Sequence, residues 1–199
     1  MNQRGVTLIE LLVALVITSF LMAGVYQVVV RQGRVYSAQE QVVDVQQSVR
    51  VAMDHMVRDI RMAGYDNDSS TSRIVIPDPV TTGSSQLSLS YEYDETTEHT
   101  VTYRLNGDQL AKQLTATTDT GVSNSTEEIV LEGVESLDFS YGLDTDNDGV
   151  VNTWVPAGGV TSKVIAIRVR LSARPLSSDL NHFSTRELES VVTLRNRIL

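Results

Sequence analysis

The sequence predicts an α+β chain in which a long N-terminal helix, part membrane-spanning and part amphipathic, packs on an antiparallel β-sheet head. Three observations predict it. Residues 6–30 are almost wholly apolar, an apolar stripe at spacings of three and four carries on to residue 63, and β-branched residues alternating with polar ones dominate the remainder. At 199 residues the chain has room for one domain of ordinary size plus a long appendage.

The apolar run is long enough to cross a hydrocarbon core, which needs about 20 helical residues. Arg4 precedes it and Arg31 and Arg34 follow, so the flanking charges do not decide its orientation. A secretory signal begins in the same way. Three features argue against one: the run exceeds a usual signal core, Leu21 spoils a small-x-small cleavage pattern around Ala23, and Glu10 lies inside the apolar segment. An ionised carboxylate there is costly unless it has a partner or sits at the interface. Taken alone, Glu10 fits two readings: a headgroup-level residue offset by water and the positive helix end, or a functional acid with a specific partner.

Beyond the run, Val35, Ala38, Val42, Val45, Val49, Ala52, Met56, Ile60 and Ala63 form one stripe, and Gly64 is a good terminator. An unbroken helix over residues 6–63 is about 87 Å long at 1.5 Å per residue, with Gly24 and Gly33 as its weak points. The distal half is expected to pack on the domain that follows. The proximal half has no domain to cover it and is expected to pack against other helices.

The polar run at residues 66–72 predicts a loop, and residues 74–76 a short strand. Leu87, Leu89, Tyr91 and Tyr93 alternate with Ser88, Ser90 and Glu92, and Val101, Tyr103 and Leu105 repeat the pattern. Asn106-Gly107 predicts a two-residue hairpin turn, so these strands are expected to form an antiparallel meander. Residues 115–126, rich in Thr and Ser, predict an exposed loop. Further strands are expected at 129–131, at Leu137, Phe139 and Tyr141, at 163–171 with Arg168 and Arg170 facing outward, and finally at 187–195.

The net charge is −9, and beyond Tyr65 ten Lys and Arg stand against twenty Asp and Glu, a net of −10. Such a surface repels phosphates, so duplex nucleic acid is not an expected partner. Without cysteine there is no disulfide, thiolate metal site or Cys nucleophile. His55, His99 and His182 lack metal-ligand spacing and are expected to be surface or packing residues. No GxSxG elbow occurs, and Lys112 and Lys163 are the only lysines, so no catalytic set is nominated and no enzyme is expected.

Asp144, Asp146, Asp148 and Gly149 follow the D-x-D-x-D-G opening of a calcium loop, with the Val150 carbonyl and the Asn152 side chain as further oxygen donors. The twelfth position, Val155, lacks the bidentate Glu, so a complete EF-hand is rejected. A candidate Ca²⁺ site and a metal-free Asp/Asn/Gly turn both fit this spacing. No cofactor is required.

Gly5-Val6-Thr7-Leu8-Ile9-Glu10, followed by LLVALVI, resembles the class III signal of type IV prepilins and pseudopilins. The resemblance implies cleavage between Gly5 and Val6 by the prepilin peptidase, methylation of Val6, and pairing of Glu10 with the charged amino terminus of a neighbouring subunit. Glycine suits the cleavage position because, lacking Cβ, it lets an enzyme approach the backbone. Val6 in place of phenylalanine, and the absence of proline before Pro77, depart from major pilins and point to a minor subunit. MVRDIRMAGY at residues 56–65 and VVTLRNR at 191–197 resemble the helix end and carboxyl end of PilW-type minor pilins.

The implied fold is type IV pilin-like, divided into a leader at 1–5, a transmembrane or filament-core helix at 6–30, an amphipathic helix at 31–64 and a β-rich head at 65–199. The implied role is a minor pilin that primes assembly of a type IV pilus or sits at its tip, in filaments that serve adhesion and twitching motility. Other minor pilins, the major pilin and the prepilin peptidase are the implied partners. The implied location is the bacterial inner membrane, as a single-pass precursor with its head outside the cytoplasm, and then the pilus at the cell surface. A J-type minor pseudopilin of type II secretion, and more distantly a membrane-anchored binding module or enzyme, are the alternatives.

Overall fold

The computed structural model describes residues 7–66, 76, 78–83, 85–175 and 185–197. One helix, α1 (Leu8–Met62), opens the chain. It contains no proline and runs unbroken through Gly24 and Gly33. Gly64, at φ +72°, ends it. The turn is tied down by Tyr65 N–H to the Met62 carbonyl at 2.9 Å and by Gly64 N–H to the Ser90 carbonyl at 2.8 Å.

The chain forms two compact units, residues 1–43 and 44–199. In the first, α1 exposes large apolar side chains on all sides, among them Leu11, Leu15, Phe20 and Val25. In the second, Val49, Ala52, Met56, Ile60 and Ala63 of the expected stripe are buried together with Met53, whereas Val35, in the first unit, is exposed.

Antiparallel strands β1 (Val80–Thr82), β2 (Gln86–Asp94), β3 (Thr97–Asn106), β4 (Gln109–Thr118) and β5 (Gly121–Asn124) follow one another across a sheet, as the alternation implies. β6 (Glu128–Glu132) pairs with the first half of β4, while β5 pairs with its second half. A second sheet takes the order β10-β9-β7-β8, from β7 (Val134–Asp144), β8 (Thr153–Val155), β9 (Lys163–Ala173) and β10 (Arg186–Thr193). One apolar cluster joins α1 (Met56, Ile60) to Leu87, Leu89, Val101 and Tyr103 of the first sheet and to Phe139, Tyr141, Ile167 and Leu171 of the second. The fully buried Tyr141 hydroxyl also bonds the Gly83 carbonyl at 3.1 Å, linking β7 to the β1–β2 connection.

Four local expectations change. Asn106 pairs with Gln109, so the hairpin turn is Gly107-Asp108, with Gly107 alone at positive φ, +65°. Pairing Leu105 with Leu110 sets that register. Residues 115–118 and 121–124 are not a loop but a hairpin, held by the β4–β5 ladder and by Thr115 Oγ1 to Asn124 Oδ1 at 2.8 Å. Threonine favours extended backbone, and its faces here are polar on both sides, so no alternation marks the strands. The last strand stops at Thr193, where fully buried Leu194 donates its N–H to the Ile165 carbonyl at 2.8 Å and leads into the short 3-10 turn Arg195–Arg197. Ile76 lies outside any strand, while residues 74 and 75 and most of the expected loop at 66–72 are outside the described residues.

β8, at three residues, is too short to show a period. In β9, the expected outward Arg170 binds Glu189, and Arg168 lies 4.2 Å over the Trp154 ring.

Candidate functional site

Gly5 and Val6 lie outside the described residues. Thr7 precedes α1 and Glu10 sits in its first turn, where the two close a reciprocal capping box. Thr7 N–H and Thr7 Oγ1–H both donate to Glu10 Oε2 at 2.9 Å, and Glu10 N–H donates to Thr7 Oγ1 at 3.4 Å. The Thr-x-x-Glu spacing carries this signal in the sequence. Farther along, Thr18 Oγ1 donates to the Ala14 carbonyl at 2.7 Å and Ser19 Oγ to the Leu15 carbonyl at 2.8 Å. Both hydroxyls are thus satisfied within the helix, as a lipid or helix-packed environment requires. α1 is long and apolar enough to cross a membrane.

Within residues 44–199, the distal end of α1 is fastened to the head by polar groups that periodicity does not reveal. Tyr103 O–H donates to Asp59 Oδ2 at 2.6 Å, Lys112 Nζ reaches the same oxygen at 2.7 Å, and Lys112 lies 5.6 Å from the Tyr103 ring centroid. Burial raises the Tyr103 pKa and the bond to Asp59 raises it further, so the phenol stays a neutral donor. At the helix end, Asn196 Nδ2 donates to the carbonyls of Arg61 and Ala63 at 3.4 and 3.3 Å. MVRDIRMAGY and VVTLRNR therefore meet in space: the second caps the first.

The Asp loop joins β7 to β8. Asn147, at φ +59°, and Gly149, at φ +80°, supply its left-handed turns. Asp144 Oδ2 accepts from Gly149 N–H at 3.1 Å, and Asp148 Oδ1 accepts from Val150 N–H at 2.8 Å. Asn152 closes the loop: its Oδ1 accepts from Thr145 N–H at 2.7 Å, and its Nδ2 donates to Asp146 Oδ2 at 3.3 Å. Asp144, Asp146 and Asp148 each place a carboxylate oxygen within 4.8 Å of the others; Asp144 is buried and the other two are exposed. Burial pushes the Asp144 carboxyl pKa up, but the Gly149 amide and neighbouring loop donors outweigh it and hold the group below the ordinary aspartate value. Gly142 lies close beneath the loop: a Cβ there would meet both Val151 methyls at 3.0 Å and Ala166 Cβ at 3.2 Å, so a larger residue requires these neighbours to shift.

Among the described residues the histidines do not assemble a site. His99 stacks on Tyr93 at 4.3 Å and meets the Tyr91 hydroxyl at 3.3 Å, His55 is exposed, and His182 is outside the described residues.

Comparison with known families adds two matches. The model described as Type IV Pilus-assembly protein W (PilW) matches residues 100–196, and that of the Prokaryotic N-terminal methylation motif matches residues 1–26. No curated protein and no solved structure matches the chain. The two matched families are structural and not enzymatic. With a methylation-type amino terminus on a long apolar helix and a PilW-type sequence over residues 100–196, the two matches together support a PilW-like type IV pilin.

Proposed function

We propose that this pilin is processed between Gly5 and Val6, methylated on Val6, and inserted through α1 into the complex that primes a type IV pilus or forms its tip. The observation that carries this reading is the exposed apolar surface of α1 over residues 8–29, most of it within the methylation-motif match at residues 1–26. Such a surface is stable in lipid before assembly and among other helices afterwards. The PilW match over residues 100–196 favours the pilus over a type II secretion assembly.

Glu10 is the register residue in this reading. Its carboxylate already gathers the Thr7 donors at the helix start, one residue from Val6. A neighbour's charged amino terminus brings a full positive charge to that acceptor, a stronger partner than a neutral amide in a dry helix bundle.

Deletion of the gene followed by counting of surface filaments tests the role. Loss of filaments, restored by the wild-type chain but not by Glu10→Ala although the variant is produced and processed, is the expected outcome. Normal piliation in the deletion strain contradicts it.

A further inference from the structure

The turn at Asp144 to Asn152 leaves one group unexplained. Local hydrogen bonds, which are all that a metal-free turn offers, engage Asp144 Oδ2 and Asp148 Oδ1. They do not reach Asp144 Oδ1, which is buried without a hydrogen-bond partner in a residue only 4 % exposed. A buried carboxylate oxygen that completes no hydrogen bond is costly, and two more carboxylates within 4.8 Å add repulsion. Among the described residues, no Lys or Arg forms an ion pair with any of the three.

We propose that Asp144, Asp146 and Asp148 bind a calcium ion, with the Val150 carbonyl completing the loop's oxygen donors. One divalent cation supplies the partner missing at Asp144 Oδ1 and removes the repulsion among the three carboxylates. The donors are all oxygen, and neither His nor Cys joins the cluster, which selects a hard cation over zinc or copper. Calcium tolerates the irregular coordination of a short loop better than magnesium does. Asn152 acts as a positioning residue, since its Oδ1 already accepts from Thr145 N–H and Oγ1–H. Where an EF-hand supplies its twelfth-position acid, Val155 is instead paired with Tyr141 in β8, so the site is a half-loop stapled by a hairpin. Affinity near 10⁻⁴ to 10⁻³ M, roughly that of extracellular calcium modules, is expected. This site stands independently of the pilin reading.

The test is thermal unfolding of the full chain in detergent, followed by fluorescence of Trp154, the single tryptophan, with CaCl₂ raised to about 10 mM, roughly tenfold above the weakest expected Kd. At tenfold over Kd, a Tm rise of about 3 to 6 °C is expected for wild type. Asp146→Asn and Asp148→Asn, both at exposed positions, are each expected to lose most of that rise while melting within a few degrees of wild type without calcium. No rise in wild type overturns the site. An equal rise in both variants also overturns it, because the cation would then bind elsewhere.

Discussion

The two halves of α1 obey different rules although they are one helix. Over residues 8–29 apolar side chains point in every direction and remain exposed, while from Val49 to Ala63 a narrow stripe is buried and the outward positions are mostly polar, with Val51 and Met62 the exposed apolar exceptions. The first half is built to be surrounded by apolar partners that the chain itself does not supply. The second is built for one partner, the head, and adds directional bonds from Asp59 and from the carbonyls of Arg61 and Ala63. Helical periodicity alone shows where a face lies; the breadth of that face shows whether the partner lies inside or outside the molecule.

Substitutions separate the two halves most sharply in the core. Ile60→Ala is expected to destabilise the head by about 2 to 5 kcal/mol, as large-to-small changes in packed cores do, read as a lower urea midpoint in Trp154 fluorescence. Leu15→Ala, in the first half, is expected to leave that midpoint within about 0.5 kcal/mol while lowering the number of surface filaments. Equal losses of head stability from both would erase the distinction.

Smaller effects refine the distal attachment. Asp59→Ala strands the Tyr103 hydroxyl and the Lys112 ammonium and is expected to cost about 1 to 3 kcal/mol in the same unfolding assay. Gly64→Ala forces a side chain into the left-handed region and is expected to cost about 1 to 2 kcal/mol. The smallest effect concerns pH. Burial lowers the His99 pKa, with the Asp94 charge pulling the other way. The fold therefore favours the neutral ring, so stability is fullest above the unfolded value of about 6.5 and declines as pH falls through the folded one. The urea midpoint is expected to drop slightly between about pH 7 and pH 5, and His99→Gln to flatten that slope.

How much of this was legible depended on the kind of force involved. The helix, its Gly64 stop, the buried strands around Leu87, Tyr103 and Ile167, and the location of the acidic loop all follow from periodicity or turn chemistry. The Thr-rich hairpin did not, because strands with two polar faces carry no alternation. Nor did the split into two sheets, since pairing depends on contacts far apart in sequence. The attachments at Asp59 and Asn196 are side-chain bonds across 44 and 135 residues, which no local spacing encodes. The Thr7–Glu10 capping box, in contrast, was visible as a four-residue spacing.

Intact-mass and amino-terminal sequencing of the chain recovered from piliated cells tests the central claim most directly. The account predicts a chain that begins at Val6 and carries one methyl group on its amino nitrogen. A chain that retains Gly5 at its amino end, or begins within or beyond the apolar run, would contradict it.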